Sequence, residues 1–343
     1  MRARGTFFLG NGVFETREFD LPPVGPGDAL IRNQVCGICG TDVHIYHGGK
    51  GSADVTPPVV LGHEYSGVVM EVGEGVTNIA PGDHVTIDPN IYCGTCRHCL
   101  AGKKQMCESM QAVGVNRNGG FAEYSVVPAA QCVVVSKELD FESAAMSEPL
   151  ACCIHGIDRA NIRPGSNVCV IGGGAIGLMM VQLAKLSGAA QVVLSEPVAM
   201  RREIGLSLGA DYAIDPVAAP ISRQLQEILG TEGADVVIEC VGKPIATAQS
   251  FDAAGKGATI LLFSVSDPET TYAMNLFDAF KKELTVVTSF VNPDTQSRAV
   301  ALLNSGAVRV KPLITHRYPI DRLEEAICKQ MENDSIKVVV TAE

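Results

Sequence analysis

Four cysteines stand in one short stretch, Cys93-Gly94-Thr95-Cys96-Arg97-His98-Cys99, with Cys107 after a gap of seven residues. Thiolates this close can complete a tetrahedral shell around one soft metal, and Zn²⁺ is the usual ion. A shell filled by protein leaves no open position, so this site is expected to be structural. The rival reading, an iron–sulfur cluster, needs a CxxCxxCxxxCP run. Here the last gap is longer and Glu108 follows Cys107. A second, incomplete set of ligand types lies upstream, in Cys39-Gly40-Thr41-Asp42-Val43-His44 and Gly62-His63-Glu64. An incomplete shell can admit a substrate atom. Spacing alone does not show that the two segments meet, and His63 by itself also reads as a core histidine.

A dinucleotide fingerprint follows. The apolar run Val168-Cys169-Val170-Ile171 leads into Gly172-Gly173-Gly174-Ala175-Ile176-Gly177. The GxGxxG pattern is weak alone, but here a strand precedes it and an apolar helix follows. Gly172 would make the tight turn and Gly174 would let backbone approach a pyrophosphate. Gly177 would let helix and strand pack closely. Glu196 ends the next strand, where a carboxylate accepts hydrogen bonds from the adenosine ribose. It would repel a 2′-phosphate, which favours NAD over NADP. Arg201 and Arg202 pull the other way, because a nearby arginine can hold that phosphate.

These sites need elements to carry them. A chain of 343 residues exceeds one ordinary core, so two domains are expected. The first 150 residues are rich in Gly, Pro and Val with short alternating runs, such as 68–73 and 82–87. They read as a β-rich, partly barrel-like domain. From about 165, strands at 167–171, 191–195, 235–239, 259–263 and 284–288 alternate with helical stretches, including 175–187 and 198–208. That pattern means βαβ units and a doubly wound parallel sheet, an α/β fold. Helices at 295–304 and 321–331 and a strand at 337–341 exceed what that sheet needs, and are assigned back to the first domain. The expected division is 1–150 with 288–343 for the zinc domain, and 151–287 for the dinucleotide domain.

Composition narrows the partners. Apolar residues at 46% suffice for two cores, and 19% charged residues without a low-complexity tract argue against disorder. A net charge of −11 would repel phosphate backbones and anionic membranes. Arg97, His98, Lys103 and Lys104 make a basic loop, but without the interleaved aromatic residues of a nucleic-acid surface. The N-terminal apolar run is too short for a signal peptide, and no uninterrupted apolar stretch spans a bilayer. A soluble cytoplasmic protein is expected. Twelve cysteines do not suggest a disulfide scaffold at this chain length and spacing.

Taken in order, Cys39–His44, Gly62-His63-Glu64, the four-cysteine set, Gly119-Gly120-Phe121-Ala122-Glu123-Tyr124 and the glycine fingerprint resemble the zinc-dependent medium-chain dehydrogenase/reductases. The resemblance spans essentially the whole chain. It implies a GroES-like catalytic domain beside a Rossmann domain, with the active site in the cleft between them. Glu148-Pro149-Leu150 is similar to the polyol branch, whose members include sorbitol dehydrogenase. The simple-alcohol branch has a cysteine ligand in that region, and Cys152 and Cys153 lie close by. The resemblance implies one catalytic and one structural zinc per chain. Cys39, His63 and Glu64 would bind the catalytic ion, and Glu148 would bind it directly or hold its water. Thr41 would hydrogen-bond the substrate oxygen, His44 would pass the proton to solvent, and Asp42 would stand behind the ligands. Val241, Val265 and Phe290 fall where the family lines its nicotinamide pocket, although a core role is equally open to each. Tyr46 is a candidate for the substrate wall. Cys36, Cys132, Cys169, Cys240 and Cys328 read as small buried residues. A homo-oligomer is implied, a tetramer or a dimer.

The chemistry is independent of the resemblance. An alcohol at neutral pH holds its proton too tightly to release hydride readily. Zn²⁺ lowers the pKa of bound water from 15.7 to about 7, and acts on an alcohol in the same sense. One thiolate and one carboxylate would neutralise the metal's two charges, leaving a moderate electrophile. Thr and His are suitable types for a proton relay near neutral pH. The expected activity is oxidation of a secondary alcohol in a polyol or vicinal diol with NAD. A simple alcohol, threonine or a phosphorylated polyol is the alternative substrate. A silent NAD-binding sensor would have lost one of Cys39, Thr41, His44, His63 or Glu64, and all five are present.

Overall fold

The computed structural model describes residues 1–49, 51 and 53–342. The chain divides into two compact units, Met1–Ala151 with Val291–Glu343, and Cys152–Phe290.

In the first unit a seven-stranded sheet is organised around the strand Asp28–Gly37. It pairs antiparallel with Glu64–Val72, with Tyr124–Pro128 and with the last strand, Lys337–Thr341. The register sets Gly37 opposite both Glu64 and Val339. Three segments far apart in sequence therefore meet at one end of the sheet. Ile31, Tyr65, Val69, Val85, Ile87, Phe121 and Val338 form the core beneath them. The segment expected to be one helix over 321–331 is a 3₁₀ turn, Ile320–Arg322, followed by the α-helix Leu323–Gln330. Cys328 on that helix is exposed and Cys240 is half-buried, so neither is the fully buried residue expected. Burial was inferred from residue type, whereas Cys328 falls on the outer face of an amphipathic helix.

A polar network ties the chain's return into this unit. Asn292 is fully buried; its amide oxygen accepts from Asn90 at 2.6 Å and its amide nitrogen donates to Asp88 at 3.3 Å. Burial pushes the Asp88 carboxyl up to about 6, against the hydrogen bonds from Asn90 and Asn292. A folded-state pKa above the unfolded value means the native state holds the proton longer. Stability from Asp88 is therefore full below about pH 4 and is lost as pH rises towards 6. Asp88→Asn, which keeps the acceptor oxygen without the charge, should remove that loss. Relative to the parent it should gain about 2 kcal/mol at pH 7.5 and nothing at pH 4, allowing for the carboxyl's partial exposure. Urea unfolding of both proteins across this range checks it. Equal stabilities at pH 7.5 would reject the assignment.

The second unit is a six-stranded parallel sheet. In spatial order its strands are Tyr212–Ile214, Gln191–Ser195, Asn167–Ile171, Ala234–Glu239, Ala254–Leu262 and Thr285–Thr288. In the unit's own numbering this is 3-2-1-4-5-6, the doubly wound order that places a ligand at the carboxyl end of the central strand. The central strands are almost wholly buried, as expected when helices cover both faces. Among the described residues, no helix is long and apolar enough to cross a membrane.

Candidate metal and dinucleotide sites

The helix Gly40–Tyr46 starts at Cys39, whose extended backbone makes it the N-cap residue. Asp42, in the first turn, accepts the Cys39 backbone N–H through Oδ2 at 2.8 Å. Its other oxygen lies 3.8 Å from His63 Nδ1. One fully buried carboxylate thus holds the N-cap backbone and stands beside the imidazole without hydrogen-bonding it. Thr41 and His44 are three apart on this helix and share a face, both partly exposed.

Gly62 delivers His63. Its φ is +92°, and a Cβ there would press on Cys36 Sγ at 2.7 Å and the Phe121 ring at 2.9 Å. The Gly119-Gly120-Phe121 segment lies alongside, donating to the carbonyls of Val60, Gly62 and Leu61. The result brings Cys39, His63 and Glu64 together, with one ligand atom from each within 4.8 Å of the others. Glu148 falls outside this compact trio, but its charge acts on His63. The Cys153 thiol faces the Ile176 carbonyl at 4.0 Å.

This arrangement fits a cation. Burial opposes a proton on His63, yet the charges of Cys39 and Asp42 raise its pKa well above the ordinary histidine value. His63 Nδ1 and Asp42 Oδ1 are buried without hydrogen-bond partners, so His63 is no satisfied core histidine. Thiolate, imidazole and carboxylate make a borderline-soft donor set suited to Zn²⁺.

The four cysteines also converge, with all four sulfurs within 4.8 Å of one another. Cys93 Sγ lies 3.9 Å from Cys99 Sγ. A tetrahedron with Zn–S bonds of about 2.3 Å has edges of about 3.8 Å. Backbone N–H groups of Thr95 and Cys96 lower the Cys93 thiol to about 6. Burial, with Cys96, Cys107 and Cys93 beside it, raises Cys99 to about 12. Four thiols this close cannot all ionise without a cation among them. All twelve cysteines are free thiols.

In the second unit Gly172 has a φ of +100°. A Cβ on Gly177 would run into the Gly172 carbonyl oxygen, so helix and turn pack as the fingerprint requires. Gly174 caps the helix Ala175–Leu186 without a side-chain hydrogen bond, which leaves first-turn N–H groups for an anion. Ile176 is partly exposed in that turn. Glu196 is buried, its carboxylate accepting from Gly173 N at 2.6 Å and Val198 N at 2.8 Å. Arg202 donates to the carbonyls of Glu196 and Pro197 and lies 3.4 Å from Asp215. Arg201 is partly exposed on the same helix, Ala199–Ser207. Val241, Val265 and Phe290 are not core residues: they are 41%, 71% and 40% exposed.

Residues 25–137 match the alcohol dehydrogenase GroES-like domain, and residues 175–305 match the zinc-binding dehydrogenase domain. L-threonine 3-dehydrogenase of Pyrococcus horikoshii is 35% identical over 95% of this chain and 94% of its own length. The chain is a zinc-dependent medium-chain dehydrogenase/reductase. D-arabinitol dehydrogenase 1 of Uromyces fabae is likewise 35% identical, over 95% of this chain and 93% of its own. A crystal structure from Sinorhizobium meliloti 1021, described as a zinc-binding dehydrogenase bound to NADP, is 39% identical. It superposes with a TM-score of 0.94 over 99% of each chain. The dehydrogenase is an NAD(P)-dependent oxidoreductase acting on alcohols, with a GroES-like domain and a Rossmann domain.

One residue beside the dehydrogenase's candidate metal trio is absent from the sequence-based expectations. Lys337, buried on the last strand, ion-pairs with Glu64 Oε2 and donates to the Ile38 carbonyl at 2.8 Å. Burial disfavours its charge, but Glu64 and then Cys39 hold its pKa above the usual lysine value. A lysine in an otherwise apolar strand, Lys337-Val338-Val339-Val340, was the available signal.

Proposed function

We propose that the protein oxidises a secondary alcohol of a polyol or vicinal diol to a ketone with NAD, at the Cys39–His63–Glu64 centre. The observation that carries this is the convergence of that trio beside Glu148, an acidic rather than a thiol neighbour. Bound zinc supplies Lewis acidity at the alcohol oxygen, and bound nicotinamide accepts the hydride. The chain's own residues do the rest. Cys39 and Glu64 would supply negative charge to the ion, and His63 would supply a neutral nitrogen, with Asp42 beside its ring. Lys337 restrains Glu64 through one carboxylate oxygen. Glu148 would either join the ligands or stand behind them as a hydrogen-bond acceptor. Thr41 hydrogen-bonds the substrate oxygen, and His44, on the same helix face, passes the proton outward. The Cys93, Cys96, Cys99 and Cys107 site is structural. Gly172, Gly174, Ile176 and Gly177 seat the pyrophosphate. Val241, Val265 and Phe290 present exposed apolar surface to the nicotinamide.

NAD is favoured over NADP because Glu196, a buried carboxylate just after the second strand, would repel a 2′-phosphate. Arg202 is occupied by two carbonyls and Asp215. The relative from Sinorhizobium meliloti, bound to NADP, makes both cofactors necessary in any assay. The second reading, L-threonine as substrate, is favoured by the Pyrococcus relative. Threonine carries an amine where a diol carries its second hydroxyl. We assay polyols, vicinal diols, simple alcohols and L-threonine with each cofactor, following reduced nicotinamide. The highest kcat/KM on a polyol or diol with NAD⁺ is expected. A maximum on threonine would move the assignment to the second reading, and no turnover at all would reject both.

We also propose a homo-oligomer. The strand Thr285–Thr288 is a sheet edge, and the helix Leu276–Lys282 before it buries none of its residues. It exposes Leu276, Phe277 and Phe280, the last by 81%. An apolar face beside an open edge is a surface for association. Light scattering should give a multiple of 36.2 kDa, and a monomer would reject this. Twelve free thiols suit a reducing compartment, so the cytoplasm is the proposed location.

A further inference from the structure

Glu239 ends the strand Ala234–Glu239, in register with Ile171 of the strand that enters the glycine loop. It is buried. Its Oε1 accepts the backbone N–H of Val241 at 2.7 Å and of Gly242 at 2.8 Å. A carboxylate out of water is costly unless its charge is met by good donors, and here main-chain amides meet it. The turn that supplies them is tightly held. Cys240 N donates to the Ile171 carbonyl at 2.9 Å. Gly242 has a φ of +76°, and a Cβ there would lie 2.8 Å from the Val265 carbonyl oxygen. A Cβ on Gly172 would lie 2.7 Å from Val241 Cγ2. The turn folded onto Glu239 therefore sets Val241 directly over the tight turn of the glycine loop, beside Val265.

Glu196 does the corresponding thing on the other flank of the same strand. Its two oxygens accept from Gly173 and Val198. Two buried carboxylates, at the ends of the strands on either side of Asn167–Ile171, thus brace the loops around the glycine motif. Under the proposed function Glu196 serves the adenosine end.

We propose that Glu239 is a positioning residue for the nicotinamide half of the cofactor, acting through the main chain of Val241 and Gly242. This rests on the reading of Val241 and Val265 as the nicotinamide wall. Hydride transfer requires the reacting carbons about 3–3.5 Å apart, and a wall misplaced by 1 Å can cost about 100-fold in rate. A turn fixed by two charge-assisted bonds keeps Val241 from such a displacement.

The test uses the zinc-loaded enzyme, with Glu239→Ala and the milder Glu239→Gln, which keeps an acceptor oxygen without the charge. Calorimetry gives the affinities for NAD⁺ and for ADP-ribose, which lacks the nicotinamide. NADP⁺ and 2′-phospho-ADP-ribose are run in parallel. Steady-state kinetics give kcat and KM. Glu239→Ala should weaken NAD⁺ binding about 10- to 100-fold and lower kcat, with ADP-ribose affinity unchanged within about twofold. Glu239→Gln should fall between the two proteins. Equal weakening of NAD⁺ and ADP-ribose would make the residue a brace for the whole loop and overturn the proposal. So would unchanged NAD⁺ affinity and kcat in Glu239→Gln. If Glu239→Ala does not fold, Glu239→Gln carries the decision alone. Failure of the parent to bind either dinucleotide would instead overturn the functional reading itself, so the two failures are distinguishable.

Discussion

Cys39→Ser is expected to lower kcat/KM by on the order of a thousandfold while leaving the fold and dinucleotide affinity unchanged. The metal is asked to supply several kcal/mol at the alcohol oxygen, and each 1.36 kcal/mol is tenfold in rate. Serine offers no anionic sulfur at neutral pH, so the trio keeps only His63 and Glu64. Cys39 is also the N-cap residue of the helix Gly40–Tyr46, and serine is a better N-cap than cysteine. The substitution thus separates metal binding from helix stability. Zinc content should fall from two sites to one, since the Cys93, Cys96, Cys99 and Cys107 group is untouched. Metal analysis, unfolding and steady-state rates on the same preparation check all three. Full zinc content with activity within tenfold of the parent would remove Cys39 from the catalytic centre.

Lys337→Met is expected to cost about 3–5 kcal/mol of stability, far more than loss of a surface ion pair. The side chains of Lys337 and Glu64 are 5% and 2% exposed. In the metal-free protein, removing the lysine leaves the buried Glu64 carboxylate without its ion-pair partner. The double variant Glu64→Gln/Lys337→Met should recover most of the loss, because no charge is then left buried without a partner. Urea unfolding of the parent, the two single variants and the double gives the coupling directly. A Lys337→Met protein within about 1 kcal/mol of the parent would show that Glu64 does not depend on this lysine. The same variant should also bind zinc differently, because Lys337 is what restrains Glu64 beside Cys39 and His63.

Much of the site was legible because its signals are local. Cys93, Cys96 and Cys99 announce a metal shell through spacing alone, and the structure brings their sulfurs and that of Cys107 together. Gly172 and Gly177 announce a strand-to-helix turn because only glycine tolerates its φ and its close packing. Alternation of apolar strands with helical stretches announced the parallel sheet. The three-residue strand Tyr212–Ile214 went unseen, because three residues carry too little periodicity to separate a strand from a loop. Val241, Val265 and Phe290 were open between core and pocket, since an apolar residue type does not state its exposure.

The sequence by itself determined the ligand types, the turn glycines and the order of the elements, all properties of residues close along the chain. Only the tertiary structure decided that Cys39 meets His63 and Glu64, through the pairing that sets Gly37 opposite Glu64. It alone brought Lys337 to Glu64 across 273 residues, and Glu239 under the turn at Val241 and Gly242. Such meetings follow from sheet register and from the burial of whole faces. Those are sums over many weak contacts, and no short stretch of residues records them.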